Sequence, residues 1–514
     1  MAAPFPRAGQ HTQLCQLPTD TDIPAREPVV SLTEAEAPSF RSQVRMAIIW
    51  RSGSQIVGQM IAWVSTFLVL RLLSPADYGL YAMATAVLAL LTLLNGYGLA
   101  NALIQRKEVS HHEMRQLFGM LLAVNAALAL VQFLTAPLVA SYYGQPMVAD
   151  ILRVLSLAFL TNPFLALGYT VLSREMDFRR QAQVNLSAAV LGALVALGGA
   201  MAGYGVWALV FAPLTVFAVR GFGMMIAARI FIWPSFDFRG TSGMAGFGGT
   251  VALSSLFYFF QTQSDVVIAG RAFDAHTVGL YTTSLFLAQI FVNKVVPPLN
   301  EVAFTAYARV QDDRDALARG FLTMVRAVML LSIPFCLGLS VTAEPVVHVL
   351  LGEKWLPAAP LLALLSLAIP WMTLQVLFAP ATNAAGKPSI AMYNSAMGAA
   401  LMPIAFLIGV QWGITGMAIA WMLVYPAMTI ITAANSNPII GITARQLVTA
   451  LTPPVLAGIA MAAAVLGADG FFQPASPVLR LVNLVGLGAL FYFGWIGIFA
   501  RDRLAEAVAL IRNR

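Results

Sequence analysis

Charged residues are scarce in this chain. Asp, Glu, Lys and Arg make up 10% of its 514 residues, and hydrophobic residues make up 59%. A soluble domain has about 25% charged residues, so this composition excludes an ordinary soluble protein and is typical of a chain that crosses a membrane many times. The net charge of +7 is spread thinly over a long apolar chain, and we therefore expect no nucleic-acid partner.

Cysteine and enzyme signatures are almost missing as well. Cys15 lies in a polar stretch and Cys336 in an apolar run, so the pair has neither the spacing of a metal site nor suitable places for a disulfide. His111, His112 and Glu113 do not have the spacing of a zinc-binding helix, and the sequence contains no phosphate-binding loop. We therefore expect neither a metal site nor catalytic residues.

The N-terminal stretch lacks the apolar core of a signal peptide, because residues 1–43 are polar. We expect a disordered cytoplasmic tail there.

Apolar runs of about twenty residues follow this tail, each long enough to cross a bilayer as a helix. They predict an all-α polytopic membrane protein with about fourteen transmembrane helices, near 48–70, 79–103, 117–139, 149–172, 183–202, 206–228, 246–269, 279–300, 321–343, 357–380, 389–410, 413–434, 447–467 and 479–500.

Arg and Lys are concentrated in one alternating set of the connecting loops. Cations of that set include Lys107, Arg115, Arg174, Arg179, Arg229, Arg309, Arg319, Lys387 and Arg445. The opposite set carries Arg271 and Lys354, with Arg71 and Arg480 at its margins. The positive-inside rule places the first set, and both termini, in the cytoplasm. An even number of transmembrane helices requires both termini on the same side of the membrane. The predicted helix count therefore agrees with the distribution of Arg and Lys over the loops.

One short sequence occurs twice. RLLSPADYGLY at 71–81 and RAFDAHTVGLY at 271–281 are offset by 200 residues (271 − 71) and share identities that pair Arg71 with Arg271, Gly79 with Gly279 and Tyr81 with Tyr281. The copies follow the first and the seventh helix, so they predict two six-helix lobes in parallel repeat. The alternative is a common loop chemistry that recurs by chance.

The duplication predicts the domain organisation. After the tail, the predicted parts are an N-lobe at 44–232, a cytoplasmic linker at 233–243, a C-lobe at 244–436, two further helices at 437–500 and an amphipathic cytoplasmic tail at 501–514.

Polar residues inside the apolar runs are the candidate site residues, because such residues are costly in hydrocarbon and usually face a cavity or a partner helix. They are Arg51, Gln55 and Gln59 on one face of the first helix, Gln261 and Asp265 in the seventh, and Asn293 and Lys294 in the eighth. We expect them to line a cleft between the lobes. The alternatives are that Arg51 and Lys294 snorkel to the nearer interface and that Asp265 pairs structurally with a cation. Arg153 and Arg220 also lie in or near apolar runs, and the pattern does not give their direction.

Seven stretches carry a further signal: RLLSPADYGLYAM (71–83), GLANALIQRKE (98–108), LSREMDFRR (172–180), YGVWALV (204–210), VGLYTTS (278–284), LLGEKWLPAAPLL (350–362) and NAAGKPS (383–389). They resemble the oligosaccharide flippases, the polysaccharide-transport branch of the multidrug/oligosaccharidyl-lipid/polysaccharide exporter superfamily, over roughly 45–435. The resemblance implies two six-helix lobes plus two helices. The related lipid II flippases use several cavity arginines in the first lobe, a pattern that this chain matches only through Arg51.

The resemblance also implies a function. The cargo would be a polyprenyl-diphosphate-linked oligosaccharide, moved by alternating access across the bacterial inner membrane for exopolysaccharide, capsule or lipopolysaccharide assembly. The implied partners are this lipid-linked oligosaccharide, the membrane lipids, and polysaccharide polymerase or export machinery. We expect no cofactor beyond a coupling ion, H+ or Na+, for which Asp265 is the candidate; the membrane potential is the alternative energy source.

Two other functions are weighed against this one. A cation-coupled drug or metabolite exporter of the same superfamily would prefer acidic cavity residues, and Asp265 is nearly alone. A membrane-embedded glycosyltransferase or polymerase would carry a sizeable outer loop with catalytic residues, whereas the longest outer loop predicted here covers only 342–357.

Overall fold

The computed structural model describes residues 40–95, 111–237, 242–471 and 476–499, with the backbone alone for residues 40–49, 51–52, 111 and 242–255. The chain divides into the units Met1–Met46 and Ala47–Arg514. The described part of the first unit is the beginning of one helix. The predictions for residues 1–39, for the motif at 98–108 and for the tail at 501–514 lie outside the described residues.

Seven helices of the described residues form six membrane-spanning segments in the N-lobe. They are α1 (Phe40–Leu72), α2 (Pro75–Thr92), α3 (His111–Tyr143), α4 (Met147–Leu155), α5 (Leu157–Arg174), α6 (Phe178–Met201) and α7 (Val206–Ala227). Helices α4 and α5 together form one segment, because Ser156 between them keeps helical dihedral angles and only bends the chain.

In the part of the chain that the structure describes, eight helices form the C-lobe and two more follow it. They are α8 (Ser242–Ala272), α9 (Ala275–Ala288), α10 (Ile290–Ala308), α11 (Arg314–Val341), α12 (Ala343–Leu350), α13 (Ala359–Ala384), α14 (Pro388–Gly409), α15 (Gly413–Ile440), α16 (Ala444–Phe471) and α17 (Pro477–Phe499). Helices α9 and α10 form one segment that bends at Gln289. The short helix α12 does not span the membrane.

Eleven stretches of the described residues are long and apolar enough to cross a membrane, and one of them, Pro388–Ile440, contains both α14 and α15. Helices α2 and α8 complete the set of fourteen segments. Each predicted transmembrane helix overlaps one of these segments, so the predicted all-α fold of about fourteen helices is confirmed. Residues 96–103 of the second predicted helix lie outside the described residues. The predicted boundaries between the domains stay predictions.

Both copies of the repeated sequence form a capped turn between two helices. At the start of α2, the Ser74 hydroxyl accepts a hydrogen bond from the N–H of Asp77, and the Asp77 carboxylate accepts one from the N–H of Ser74. At the start of α9, the Asp274 carboxylate accepts from the N–H of Thr277 at 3.2 Å. Such caps satisfy N–H groups that have no partner within the helix. Different residues therefore fix the same turn in both lobes.

Helices α16 and α17 pack against α11 of the C-lobe. The Tyr492 hydroxyl donates to the carbonyl oxygen of Leu330 at 2.8 Å. Near the α16–α17 connection, Arg480 makes two hydrogen bonds of 2.7 Å to Asp469 and a longer ion pair of 3.4 Å to Glu344 of α12. These contacts join the two last helices to each other and to the C-lobe.

The segment predicted as the longest outer loop is folded. Residues 342–358 form α12 and then a 3₁₀ helix, Glu353–Ala358. Trp355 in this segment is fully buried, so the segment belongs to the protein interior at one end of the bundle.

Candidate functional site

The two copies of the repeated motif pack against each other where α2 crosses α9. A Cβ atom added to Gly79 would overlap the carbonyl oxygen of Ala275, and one added to Gly279 would overlap that of Pro75. The same two added atoms would lie 2.9 Å from the backbone nitrogen of Gly279 and 3.0 Å from that of Gly79. The helices can approach this closely only because both positions are glycine. The reciprocal contacts are those expected of a two-fold relation between the lobes.

Side chains of the two lobes interlock beside this crossing. Arg71 donates to the carbonyl oxygen of Leu350 at 3.1 Å and to that of the preceding residue. The indole N–H of Trp355 donates to the carbonyl oxygen of Leu70 at 2.8 Å, and its ring meets the ring of Tyr78 edge to face at 5.5 Å. These contacts and the glycine pair join the lobes at the end of the bundle where the α1–α2 and α8–α9 turns lie, which we call the closed end.

Arg271, the repeat counterpart of Arg71, reaches toward the N-lobe. Its guanidinium carbon lies 5.9 Å from the ring centre of Tyr142, at the end of α3. Next to it, Gly270 lies so close to Tyr143 that an added Cβ atom would be 2.7 Å from the ring. Each lobe therefore contacts the other through the residues that precede its own α1–α2 or α8–α9 turn.

A polar cavity of about 630 Å³ lies inside the N-lobe, among α1, α5, α6 and α7. Gln55 and Gln59, both predicted as site residues, line it from α1. Polar side chains that line it from the other helices are Tyr169, Gln181, Asn185 and Arg220. The structure thus gives Arg220, whose direction the sequence did not give, a place in the same cavity as the two glutamines.

A second cavity of about 530 Å³ lies between the lobes. The predicted site residue Asn293 lines it together with Tyr81. Its other polar lining residues are Ser65, Thr66, Tyr78, Thr85, Thr262, Gln263, Thr282, Thr283 and Gln289. Ser65, Thr66 and Pro213 are among the residues that line both cavities. The two cavities therefore form one polar path, which reaches from the lobe interface into the N-lobe.

Charge is rare along this polar path. Among the described residues that line the two cavities, Arg220 is the one charged side chain, and no carboxylate is present. Amide and hydroxyl groups donate and accept hydrogen bonds, which suits a ligand rich in hydroxyl groups. The guanidinium of an arginine matches the geometry of a phosphate. The path is therefore suited to a polar, anionic ligand rather than to a cation.

Asp265 lies in the interior of the C-lobe. Its carboxylate is fully buried and accepts hydrogen bonds from the N–H of Val266 at 2.8 Å and from the hydroxyl of Tyr281 at 3.0 Å. The Tyr281 hydroxyl in turn accepts from the indole N–H of Trp421 at 2.7 Å, and Trp421 stacks on Tyr425 at 5.0 Å. Among the described residues, no cation pairs with this carboxylate.

The remaining predicted site residues are not gathered at one place. Gln261 is buried one turn before Asp265, where it packs against Gly398: a Cβ atom added there would lie 2.7 Å from the side-chain amide carbon of Gln261. Lys294 is exposed on α10. The side chain of Arg51 lies outside the described residues. The structure therefore brings Gln55, Gln59 and Asn293 to one polar path. Gln261 and Asp265 lie apart from it, one turn from each other in the C-lobe.

The sequence-based search missed several lining residues of the N-lobe. Gln181 and Asn185 are four residues apart on α6 and face the same cavity. The same spacing of four marks Gln55 and Gln59 on α1, so a signal was present. It was weaker, because Gln181 precedes the apolar run of its helix.

Comparison with known proteins places this chain among polysaccharide biosynthesis proteins. The model of a family described as polysaccharide biosynthesis protein matches residues 68–360. The succinoglycan biosynthesis transport protein ExoT of Rhizobium meliloti (strain 1021) is 25% identical over 88% of this chain and 92% of its own length. The lipopolysaccharide biosynthesis protein WzxC of Escherichia coli (strain K12) is 24% identical over 81% of this chain and 85% of its own length.

The fold of this chain is similar to that of a solved membrane protein structure. The lipid II flippase MurJ in an inward closed conformation superposes with a TM-score of 0.69 at 12% identity, over 89% of this chain and 100% of that chain. The likeness confirms the paired-lobe helical fold.

Proposed function

Because this chain belongs to the polysaccharide biosynthesis protein family, we propose that it carries a polyprenyl-diphosphate-linked oligosaccharide across the bacterial inner membrane. The transported molecule would supply the polymerase or export machinery of exopolysaccharide, capsule or lipopolysaccharide assembly. The chain is accordingly a multi-pass membrane transporter and not an enzyme. The names of ExoT, a succinoglycan transport protein, and WzxC, a lipopolysaccharide biosynthesis protein, support this class of cargo.

The polar path is the observation that carries the proposal. A lipid-linked glycan has an anionic diphosphate and a hydroxyl-rich head, neither of which can cross hydrocarbon unaided. Gln55, Gln59, Gln181 and Asn185 offer hydrogen bonds to sugar hydroxyls, and Arg220 offers a charge-assisted bond to a phosphate oxygen. The polyprenyl chain stays in the bilayer while the head moves along the path.

Alternating access supplies the movement in this proposal. The lobes are joined at the closed end by the Gly79–Gly279 crossing and by the bonds of Arg71 and Trp355. Rocking one lobe against the other would separate these contacts and expose the path to the opposite side. We assign the closed end to the periplasm, because the basic loops of the chain lie at the opposite helix ends; both termini are then cytoplasmic.

Export of cationic drugs is the rival function. A transporter of that kind would bind its cargo and its coupling ion through carboxylates on the path. Among the described lining residues the path has none, and the fully buried Asp265 is not one of the residues that line it. This charge distribution favours the lipid-linked glycan.

We infer that the coupling ion is a proton and that Asp265 carries it. A buried carboxylate without a cationic partner is costly when charged, and protonation removes that cost. The atoms that contact the carboxylate are hydrogen-bond donors, the N–H of Val266 and the hydroxyl of Tyr281. A metal cation would instead require a shell of several oxygen ligands. The polar neighbours therefore favour H+ over Na+.

A leaflet-resolved flipping assay tests the proposed function. In proteoliposomes, the purified chain should move a lipid-linked oligosaccharide between leaflets, and Arg220→Gln should weaken cargo binding roughly ten- to a hundredfold, because a hydrogen bond to a charged group contributes about 1.5–3 kcal/mol. The matched control is Arg179→Gln, since Arg179 is exposed and lies over the ring of Trp50 at 5.6 Å; it should keep the wild-type affinity. Transport of an organic cation without movement of any lipid-linked oligosaccharide would refute the proposal.

A further inference from the structure

An apolar crevice of about 560 Å³ lies on the lateral surface between the lobes, between α2 and α3 on one side and α8 and α14 on the other. Residues that line it include Leu90, Leu138, Phe260, Val267, Ile268 and Leu407. Leu138 is 69% exposed and Leu407 is 57% exposed. On helices that cross a membrane, such side chains face lipid, so the crevice opens to the hydrocarbon of the bilayer.

A cation lies at the mouth of this crevice. Arg271 follows Ile268 by three residues and Val267 by four, so it continues the face of α8 that lines the crevice. It is exposed, and its guanidinium carbon lies 5.9 Å from the ring centre of Tyr142, which also lines the crevice. Arg271 therefore lies at the edge of the apolar crevice that is nearest to the closed end of the bundle.

Arg271 differs from its repeat counterpart, Arg71, in its hydrogen-bond partners. Arg71 donates to two backbone carbonyl oxygens of the C-lobe. Arg271 makes no hydrogen bond or ion pair with the described residues, and its guanidinium lies beside the ring of Tyr142. The guanidinium donors of Arg271 thus stay open to an anion from outside the protein.

A second polar group lies deeper in the crevice. Ser264 lines it, and the side chain is 5% exposed. Its hydroxyl oxygen is buried and has no hydrogen-bond partner among the described residues. Ser264 precedes Arg271 by seven residues, which is about 10 Å along a helix. A ligand that fills the crevice would therefore meet a cation at the mouth, a hydroxyl below it and apolar side chains along its length.

We propose that this crevice is a binding site for an anionic diacyl phospholipid of the surrounding bilayer. The phosphate binds Arg271, an ester carbonyl accepts a hydrogen bond from Ser264, and one acyl chain lies against Leu138, Phe260 and Leu407. A polyprenyl diphosphate is a poorer occupant, because it has no ester carbonyl for the Ser264 hydroxyl. The bound lipid contacts both lobes, so it is a structural ligand of the closed end and not the transported cargo.

Native mass spectrometry of the full chain released from lipid nanodiscs tests the site. The wild-type protein should retain phosphatidylglycerol more strongly than phosphatidylcholine. Arg271→Gln should lower the retention of phosphatidylglycerol roughly tenfold, as expected for the loss of a hydrogen bond to a charged group. It should lower that of phosphatidylcholine less, because the ammonium group of that lipid already neutralises the phosphate. Val267→Trp should lower the retention of both, because it fills the crevice. The matched control is Arg319→Gln, an exposed arginine of α11, which should behave as wild type.

A second measurement uses the wild-type chain and does not depend on the folding of a variant. Phosphatidylglycerol with a photoreactive group in its acyl chain should label residues 138–143 and 259–268.

Three results would overturn the proposal: equal retention of phosphatidylglycerol by wild type and Arg271→Gln, labelling spread evenly over all helices, or displacement of the bound phospholipid by an equal mole fraction of polyprenyl phosphate. The last result would assign the crevice to the tail of the cargo. Retention is measured without transport, so the outcome is independent of the flipping assay.

Discussion

At the scale of single residues, Asp265 is a carboxylate that is fully buried and has no cationic partner among the described residues. Asparagine keeps the size of the side chain and an acceptor for the hydroxyl of Tyr281, but it cannot bind or release a proton. We expect Asp265→Asn to fold normally and to flip cargo at a rate that no longer responds to an imposed proton gradient. The lost acceleration should be fivefold or more, the usual lower range of coupling between two sites. Proteoliposome flipping with and without a pH step measures it.

The control for this variant removes a carboxylate elsewhere. Asp312 is exposed in the connection between α10 and α11, so Asp312→Asn should keep the response to the gradient. A wild-type protein that ignores the pH step but responds to a sodium gradient would contradict the assignment of H+. If Asp265→Asn retained the full response to pH, the proton would be carried by another group.

The sequence could identify single polar positions better than their partners. A carboxylate inside an apolar run indicates a functional or paired residue, and that pattern selects Asp265. It does not reveal the hydrogen bond from Trp421 to Tyr281, which joins residues 140 positions apart. Arg220 shows the same limit, because only the packing of α5, α6 and α7 around α1 decides that it faces a cavity rather than lipid.

At the scale of secondary-structure elements, the crossing of α2 and α9 depends on two glycines. An alanine at Gly79 would overlap the carbonyl oxygen of Ala275, so the helices must separate. Overpacking of this kind costs about 1–3 kcal/mol, which lowers the population of the closed arrangement roughly five- to a hundredfold. We expect Gly79→Ala and Gly279→Ala to raise the alkylation rate of a cysteine at Val278, which is fully buried beside Gly279, in a background without Cys15 and Cys336.

A glycine with free space around it provides the comparison for these variants. A Cβ atom added to Gly467 on α16 would meet nothing within 4 Å, so Gly467→Ala should leave the alkylation rate unchanged. Identical rates for Gly79→Ala and Gly467→Ala would show that the crossing does not control the closed end.

The membrane-spanning elements could be predicted because the length of each apolar run is set by the thickness of the bilayer. The segment at 342–358 could not be predicted in the same way. It is too short to span, and its fold depends on the bond from Trp355 to Leu70, 285 positions away. Hydropathy marks this segment only as a connection, and the contact between the lobes turns it into α12 and a 3₁₀ helix.

At the scale of the whole molecule, the two lobes share their turns but differ inside. The repeat position of the buried Asp265 is occupied by Ser65 in the N-lobe (265 − 65 = 200), and Ser65 lines the polar path. The N-lobe thus holds the cavity with Arg220, and the C-lobe holds the buried carboxylate. Tyr281, which donates to Asp265, lies two residues after Gly279 in the helix crossing. In the proposed mechanism, a change of charge at Asp265 would therefore be transmitted to the closed end through one turn of α9.

Cysteine accessibility tests the proposed orientation of the whole molecule. Single cysteines at Met147, His276 and Gln411, each exposed at the end of the bundle that carries the α1–α2 turn, should react with an impermeant maleimide added to intact cells. Cysteines at Asp312 and Ser389, exposed at the opposite end, should react only after permeabilisation. The physical reason is the concentration of Arg and Lys in the second set of connections, which the positive-inside rule keeps in the cytoplasm.

The background lacks Cys15 and Cys336, and an unmodified sample treated with a permeant maleimide checks that every cysteine is reactive. Reaction of Met147 and His276 from opposite sides would contradict the parallel arrangement of the lobes, whereas reaction of all three positions only after permeabilisation would reverse the assigned direction of the closed end.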